Sequence, residues 1–221
     1  LDGSGALYHP GERMLVVADL HIEKGRSVGS RHRRPLPPYD TRETLRRLGQ
    51  VVAHYDPLTI ACLGDSFHDA DAMFSLDAMD RGDINLLASG RRWIWIAGNH
   101  DPIIPPSMGG EVMQELAAGG LLFRHDDHRG NGVVIGHFHP VAALRVVGRL
   151  IRRRCFVVGQ HVLIMPAFGS YAGGLNVLHP ALADLSGDQS RVFMLGQRAV
   201  HPVHRARLVA DNVHPSRRAR S

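Results

Sequence analysis

The sequence predicts an α/β fold whose first half alternates strands with helices and whose second half consists mostly of strands, both sharing one core. Two observations support this. Short apolar runs, rich in β-branched and aromatic residues, each end in a cluster of polar residues, which is typical of buried strands. Apolar residues at helical spacing occur between these runs in the first half, whereas Gly and Pro turns join the later runs.

Seven apolar runs have the length and composition of buried strands. They are Met14 to Ala18, Leu58 to Leu63, Trp93 to Ala97, Gly120 to Phe123, Val133 to Ile135, Cys155 to Val158 and Val162 to Met165. The clearest helix is predicted from Asp40, where Asp40 and Glu43 form a candidate capping box before Leu45, Leu48, Val51 and Val52. Two weaker helices are predicted over Ala70 to Met79 and Glu111 to Ala118.

Composition excludes several classes of protein. The chain has 221 residues, of which 44% are hydrophobic and 21% charged, as in globular proteins. No apolar run reaches the roughly 18 to 20 residues of a membrane span, and the N-terminus lacks the order of a signal peptide. Cys62 and Cys155 stand apart and cannot form a disulfide framework, so we expect core positions for them and a cytoplasmic location for the protein.

Histidine and arginine are both in excess. The chain contains 15 histidines, a side chain that binds transition metals and transfers protons near neutral pH. Its net charge is +5, and Lys24 is the sole lysine among 26 basic residues. The positive charge is compatible with a polyanionic partner. It does not identify one.

Polar residues of one chemical kind follow five of the predicted strands. In α/β sheets ligands bind beyond the carboxyl ends of the strands, so these side chains can converge on one crevice. Aspartate, histidine and the asparagine oxygen are ligands of divalent transition metals. The clusters, in chain order, are Asp19-Leu20-His21, Gly64-Asp65, Gly98-Asn99-His100-Asp101, His125 and Gly136-His137-Phe138-His139.

This order of motifs resembles that of the calcineurin-like metallophosphoesterases. More narrowly, ADLHIEKG, LGDSFHD, AGNHD, GHFHP and MPAFGSYAGGL are similar to the bacterial ligase-associated DNA damage response phosphoesterases. The similarity extends from about Leu7 to Leu195. It implies a four-layer α/β/β/α sandwich, which we expect over residues 1–204. The composition of residues 205–221 predicts a basic tail that is either a flexible end, which we expect, or a binding arm.

The resemblance also implies a centre with two metal ions. Asp19, His21 and His139 are expected to hold one ion, Asn99, His125 and His137 the other, and Asp65 to bridge them. Two divalent ions, two carboxylates and one bridging hydroxide leave a charge of plus one, which favours a phosphate substrate. The hydroxide is the expected nucleophile. The mixed ligands suit Mn, Fe, Zn, Co or Ni, and we expect Mn.

The resemblance places His100 beside the leaving oxygen, as a general acid rather than a ligand. In the related phosphoprotein phosphatases an aspartate three residues after the bridging one orients this histidine. Here His68 occupies that position and Asp69 follows it. His68 and Asp69 either position the residues that contact the metal ions and the substrate, or are ordinary polar residues of a loop.

Other positions have alternative interpretations. His128 competes with His125 as the ligand, although His125 lies closer to its strand. Lys24 is a candidate phosphate contact, although Glu23 stands where the narrower family has glycine. Arg31, Arg33 and Arg34 are either DNA contacts or solvated loop residues. The histidines for which we expect no metal role are His9, His32, His54, His161, His179, His201, His204 and His214.

The resemblance implies a phosphodiesterase or endonuclease that acts on DNA in repair, alongside a DNA ligase and a helicase. One alternative is a phosphodiesterase for cyclic nucleotides or nucleotides. Another is a non-catalytic interaction module with the same fold, which the complete ligand set disfavours, since a decayed site should have lost a ligand or His100.

Overall fold

The computed structural model describes residues 1–25, 39–69, 72–187, 189–197 and 199–211, which form two packed sheets flanked by helices. The first sheet has the order β1-β2-β3-β4-β5. Strands β2 to β5 run parallel and β1 is antiparallel to β2. The strands are β1 (Leu7–His9), β2 (Met14–Ala18), β3 (Thr59–Leu63), β4 (Arg92–Ile96) and β5 (Glu111–Met113).

The second sheet has the order β12-β9-β10-β11-β8-β7-β6, and β13 pairs with both β10 and β14. Pairing is mixed, with β7, β8 and β11 parallel to one another and β9 antiparallel to β10. The strands are β6 (Leu116–Ala118), β7 (Leu121–Phe123), β8 (Val133–Ile135), β9 (Pro140–Val146), β10 (Arg149–Val158), β11 (Val162–Ile164), β12 (Leu175–Asn176), β13 (Arg191–Leu195) and β14 (Val200–Val203).

Four α-helices are described, together with short 3-10 helices at Pro106–Met108 and Arg205–Arg207. The α-helices are α1 (Tyr39–Tyr55), α2 (Ala72–Ser75), α3 (Ala78–Ala88) and α4 (Pro180–Ser186). None of the helices within the described ranges is long and apolar enough to cross a bilayer.

The alternation of side chains along each strand produces the layers. In β2, Leu15 and Val17 pack with the helical residues Leu45 and Leu48 on the outer side of the first sheet. Their neighbours Met14, Val16 and Ala18 pack against the second sheet, for example on Phe156 and Met165. A third cluster joins the far side of the second sheet to Leu182 of α4. The predicted α/β/β/α arrangement is therefore confirmed.

The seven predicted strands all form: six have ends within one residue of the prediction, and Cys155 to Val158 is the last part of the longer β10. The helix predicted from Asp40 also forms, but the expected capping box is wrong. The Asp40 carboxylate accepts a hydrogen bond from the Gly25 backbone N–H at 2.7 Å, and Glu43 binds Arg46 instead. The Ala70 to Met79 region contains two helices, because Asp77 caps a new helix by accepting from the Asp80 N–H.

The helix predicted over Glu111 to Ala118 is wrong. Residues 111–113 continue the first sheet as β5, and residues 116–118 pair with β7 in the second sheet. This short segment crosses from one sheet to the other, so strand pairing outweighs its weak helical pattern. Cys62 and Cys155 are buried and unpaired, as predicted.

The first residues of the basic tail lie on the second sheet. Leu208 is buried and forms an isolated bridge with Leu144 of β9, and the Val209 N–H donates to the Ala143 carbonyl. Residues 212–221 lie outside the described ranges.

Candidate metal centre

The loops that follow β2, β3, β4, β7 and β8 meet at one edge of the two sheets, which we call the site edge. Several of their residues have a left-handed backbone, which is uncommon for residues other than glycine and recurs at functional sites. These residues are Asp19 (φ 52°), His21 (φ 45°), Asp65 (φ 45°), His137 (φ 64°) and His139 (φ 45°). The chain therefore turns abruptly after each strand and brings the predicted ligands together.

One group of ligand atoms consists of Asp19, His21 and His139, whose atoms lie within 4.8 Å of one another. The Nε2 atoms of His21 and His139 are 3.2 Å apart, and His139 Nε2 is 3.4 Å from an Asp19 carboxylate oxygen. Asp19 is completely buried, and its carboxylate accepts the His137 backbone N–H at 3.0 Å. Three candidate ligand atoms thus face one another, two of them on buried residues and the third on the partly exposed His139.

The second group consists of Asp65, His125 and His137. The Asn99 side-chain oxygen joins it, at 2.9 Å from His125 Nε2 and 3.0 Å from His137 Nδ1. His125 Nδ1 lies 3.0 Å from the Leu63 carbonyl oxygen, to which it donates, so Nε2 is the atom that can bind a metal ion. Within the described ranges His128 belongs to neither group, so the geometry favours His125 over His128.

The charges of these residues suit a cation. Burial, reinforced by His139 and Lys24, lowers the pKa of His21 to about 2, so its ring is neutral, as a ligand must be. Burial also opposes a proton on His125, but the carboxylates of Asp65 and Asp19 outweigh it and raise the pKa of His125 to about 9. A divalent ion would supply that positive charge in place of the proton.

The residues at the site edge therefore fit two divalent ions. Each group combines imidazole nitrogens with an oxygen ligand, a set that suits Mn, Fe, Zn, Co and Ni better than Ca. The structure places Asp65 in the second group, 3.4 Å from His125 Nε2.

His100 lies beside the second group without being part of it. Its Nδ1 donates to the backbone carbonyl of His68 at 2.8 Å, and its Nε2 is 3.9 Å from an Asp65 carboxylate oxygen. The rings of His68 and His100 stack, with centroids 5.6 Å apart. His100 is thus oriented by a main-chain oxygen, and its side chain is 42% exposed, so it is open to a substrate.

Asp69 has a local structural contact. Its carboxylate accepts the Ala72 backbone N–H at 2.9 Å, at the start of α2. His68 therefore contacts His100 directly. The hydrogen bond described for Asp69 instead caps the start of α2.

Asp101 is a supporting residue that the sequence analysis placed in a polar cluster without assigning it a role. It is completely buried, and its carboxylate accepts four backbone N–H groups at 2.7 to 3.1 Å, from Asp65, Ser66, Phe67 and Gly98. Burial, together with the Asp65 carboxylate and against these hydrogen bonds, raises the pKa of Asp101 to about 6. The residue joins the loops after β3 and β4. Its position at the end of the GNHD motif was the available signal.

Two glycines permit the close approach of these loops. A Cβ atom on Gly64 would collide with the ring of His125, and one on Gly98 would collide with the backbone N of Asp65. Gly64 also has a positive φ of 68°, which glycine adopts without strain. The glycines before Asp65 and Asn99 are therefore needed for packing at the site edge.

The predicted substrate contacts are only partly described. Lys24 is partly buried, and its pKa is lowered by burial and by Arg154, against the nearby carboxylates of Asp40 and Asp65. Glu23, which stands where the narrower family has glycine, has a φ of 67° and is buried, with its carboxylate bonded to Thr41. The predicted contacts Arg31, Arg33 and Arg34 lie outside the described residues.

Arg154 is a second supporting residue that the sequence reasoning missed. Its guanidinium donates to five backbone carbonyls of the loop after β11, those of Ala167, Phe168, Gly169, Ser170 and Ala172. Burial lowers its pKa to about 10, so it remains charged at neutral pH. The same loop donates backbone N–H groups to the carbonyls of Ala18 and Asp19. Arg154 thus holds a loop that packs behind Asp19.

Three solved structures resemble this one to different extents. The structure resembles that of the Pseudomonas putida nuclease MPE, with 29% sequence identity, a TM-score of 0.70, and coverage of 92% of this chain and 94% of that one. It also matches YfcE, a phosphoesterase from E. coli, at 13% identity and TM-score 0.42, covering 86% and 97% of the two chains. A predicted phosphoesterase from Streptococcus pneumoniae matches at 12% identity and TM-score 0.33, covering 90% and 92%.

A search of curated proteins gives no match. The model of the calcineurin-like phosphoesterase family matches residues 12–152, which include all seven predicted metal ligands and His100. The 29% identity to a nuclease over most of both chains is consistent with the narrower ligase-associated resemblance. The chain belongs to the calcineurin-like phosphoesterases, a family of metal-dependent phosphoric ester hydrolases.

Proposed function

We propose that this protein is a DNA phosphodiesterase that cuts internal bonds, and that it works in ligase-associated DNA repair. The observation that carries the proposal is the pair of ligand groups at the site edge, with the accessible ring of His100 beside them. The similarity to a Pseudomonas putida nuclease supports DNA as the substrate.

The two ions would be held by the groups described above. We propose Asp19, His21 and His139 for the first, Asn99, His125 and His137 for the second, and Asp65 as the ligand shared by both. When bound, divalent ions lower the pKa of water and stabilise negative charge on a phosphoryl group. The two aspartates cancel only two of the four positive charges, so the centre attracts a phosphodiester.

His100 supplies the proton for the leaving oxygen in this proposal. The His68 carbonyl accepts from Nδ1 of His100, which fixes the ring and leaves Nε2 as the atom that exchanges a proton with the substrate. An alkoxide such as the sugar oxygen of DNA is a poor leaving group, so its protonation lowers the barrier. Lys24, partly buried near Asp65, is positioned to contact a substrate phosphate.

The cellular setting follows from the same proposal. We propose Mn as the native metal, the cytoplasm as the location, and a DNA ligase and a helicase as partners in repair. Mn suits mixed imidazole and oxygen ligands.

A closed single-stranded DNA circle tests the proposal sharply, because it has no ends and only an endonuclease can linearise it. The protein, stripped of metal and reloaded with Mn, should linearise the circle. The same preparation of Asp65→Asn should not, which excludes a contaminating nuclease. Nicked and duplex DNA, cyclic nucleotides and bis-p-nitrophenyl phosphate complete the panel.

The panel also identifies the alternative. Hydrolysis of bis-p-nitrophenyl phosphate or a cyclic nucleotide, with no DNA form cut or bound, would contradict the repair function and favour a small substrate. If no substrate is hydrolysed with any of Mn, Fe, Zn, Co and Ni, both the DNA phosphodiesterase and the small-substrate phosphodiesterase are contradicted.

A further inference from the structure

Strands β9 and β10 extend beyond the second sheet as a two-stranded ribbon. Strand β10 pairs with β11 and β13 only through residues 155–158, whereas residues 149–154 pair with β9. Strand β12 covers only the start of β9, at Pro140 and Val141. Within the described ranges, the isolated bridge to Leu208 at Leu144 is the last pairing of β9 with a segment other than β10. Residues 145–150 therefore project beyond the sheet, and residues 151–153 form the base of the ribbon, where Arg152 donates to the Gly174 carbonyl.

This ribbon, residues 145–153, is cationic and exposed. We call it the arginine ribbon. Its four arginines, Arg145, Arg149, Arg152 and Arg153, are exposed. Arg152 pairs with Asp211, but within the described part of the chain no ion pair involves the other three. The sequence from His128 to Ala183 contains no aspartate or glutamate, so no neighbouring residue along the chain offsets the charge.

The charge is distributed over both faces of the ribbon. Arg145 lies opposite Leu150, and Arg149 lies opposite Val146, so these two cross-strand pairs occupy alternate faces and each contains one cation and one apolar side chain. A membrane-inserting element needs one continuous apolar face, and this ribbon does not have one. A groove lined by phosphates on both sides offers anions to both faces, and a two-stranded ribbon fits the major groove of DNA.

The arginine ribbon is also directly continuous in sequence with the candidate metal centre. Strand β9 starts at Pro140, the residue directly after the predicted ligand His139, and runs to Val146. At about 3.3 Å per residue this is about 20 Å. Measured along the strand, this length corresponds to roughly six nucleotides at about 3.4 Å each along a duplex strand.

We propose that the arginine ribbon binds the phosphate backbone of the DNA substrate several nucleotides away from the bond that is cut. The inference rests on the proposed function, because it takes DNA as the substrate. Arg145 and Arg149, next to the tip and without a carboxylate partner within the described ranges, make the main contacts. The ribbon contributes affinity for long substrates and leaves the chemistry unchanged.

The test replaces both residues, as Arg145→Gln with Arg149→Gln. The control double variant, Arg13→Gln with Arg92→Gln, removes the same charge at the opposite end of the first sheet, just before β2 and at the start of β4. Both control arginines form exposed ion pairs, with Asp56 and Glu111, so their loss costs little stability.

Binding to duplex DNA of about 20 base pairs should weaken about tenfold in the ribbon variant, and the slope of log K against log salt should fall by about 1.8, twice the value of about 0.9 for one phosphate contact. The control should move the slope by less than half as much. Binding to DNA of about four nucleotides, too short to reach the tip, and hydrolysis of bis-p-nitrophenyl phosphate should be unchanged in both variants.

Each outcome decides the proposal. If the wild type linearises the DNA circle but the ribbon variant binds and cuts long DNA normally, the ribbon proposal fails while the function stands. If the wild type neither binds nor cuts any DNA, the proposed function fails first. Binding of vesicles rich in anionic lipid that the ribbon substitutions abolish, with DNA binding intact, would assign the ribbon to a membrane and overturn the proposal.

Discussion

The site edge and the arginine ribbon carry charge in opposite ways. At the site edge, Asp19, His21 and Asp65 are at most 5% exposed, have a left-handed backbone and belong to the two groups of candidate metal ligands. On the arginine ribbon, Arg145 and Arg149 are exposed on regular strands, and no ion pair within the described ranges involves them.

This difference has a physical basis. Charged groups that are buried together must be stabilised by backbone hydrogen bonds from well-ordered loops. Groups held in this way are preorganised, which favours catalysis. Exposed charges retain their hydration and interact with a polyanion through salt-dependent forces. We therefore expect substitutions at the site edge to reduce turnover and substitutions on the ribbon to reduce affinity.

The largest effect is expected from His100→Ala. Loss of the proton donor should lower kcat on alkyl phosphodiesters by about 100-fold to 10,000-fold, because the leaving alkoxide is then expelled unprotonated. With a p-nitrophenyl leaving group, which needs no proton, the loss should be only a few fold. Steady-state kinetics with both leaving groups measure this, and metal content should be unchanged. Equal losses with both would contradict the acid role.

His68→Ala is the matched control for His100. Because a backbone carbonyl orients His100, alanine at position 68 keeps that acceptor and loses only the stacked ring. The kcat of His68→Ala on alkyl phosphodiesters should therefore fall only a few fold. A loss as large as that of His100→Ala would show that the His68 ring, and not its carbonyl, is required.

Arg154 and Arg149 both lie in β10, but Arg154 is partly buried and binds loop carbonyls, whereas Arg149 is exposed to solvent. Arg154→Gln leaves several loop carbonyls without a donor and should lower the free energy of unfolding by about 2–4 kcal/mol. Arg149→Gln should change it by less than about 0.5 kcal/mol, since the side chain is exposed. Urea denaturation of both variants measures the difference. Equal stabilities would contradict the structural role of Arg154.

The smallest effect is expected at the tip of the ribbon. Val147 is 97% exposed, and its φ of 47° is unfavourable for a β-branched residue. Asparagine prefers the first position of such a two-residue turn before glycine, so Val147→Asn should raise the free energy of unfolding by about 0.5–1 kcal/mol. The control Val146→Asn, on the extended strand, should not raise the free energy of unfolding. The interpretation fails if Val147→Asn is no more stable than the wild type.

Much of the fold could be predicted from the sequence because its strands are continuous apolar runs. Met14 to Ala18 and Val133 to Ile135 are buried on both faces, so their composition alone marks them as strands. The loops at the site edge were equally accessible to prediction, since polar residues follow such strands directly. Neither result required knowledge of distant contacts.

The remaining features depend on tertiary contacts. Glu111 to Ala118 becomes two strands because each half finds a different sheet. Asp40 faces Gly25 rather than its own helix. The roles of Asp101 and Arg154 depend on backbone groups that only the folded chain brings near them. The ribbon escaped prediction because its arginines interrupt the apolar pattern of a strand.

Metal stoichiometry tests the central claim, that two groups of ligands at the site edge hold two ions. The measurement is elemental analysis after the protein is stripped of metal, dialysed against Mn and freed of excess. The account predicts two Mn per chain for the wild type, and one each for His21→Ala and His137→Ala, which lie in different groups. A single ion in the wild type, or two ions in both variants, would contradict it.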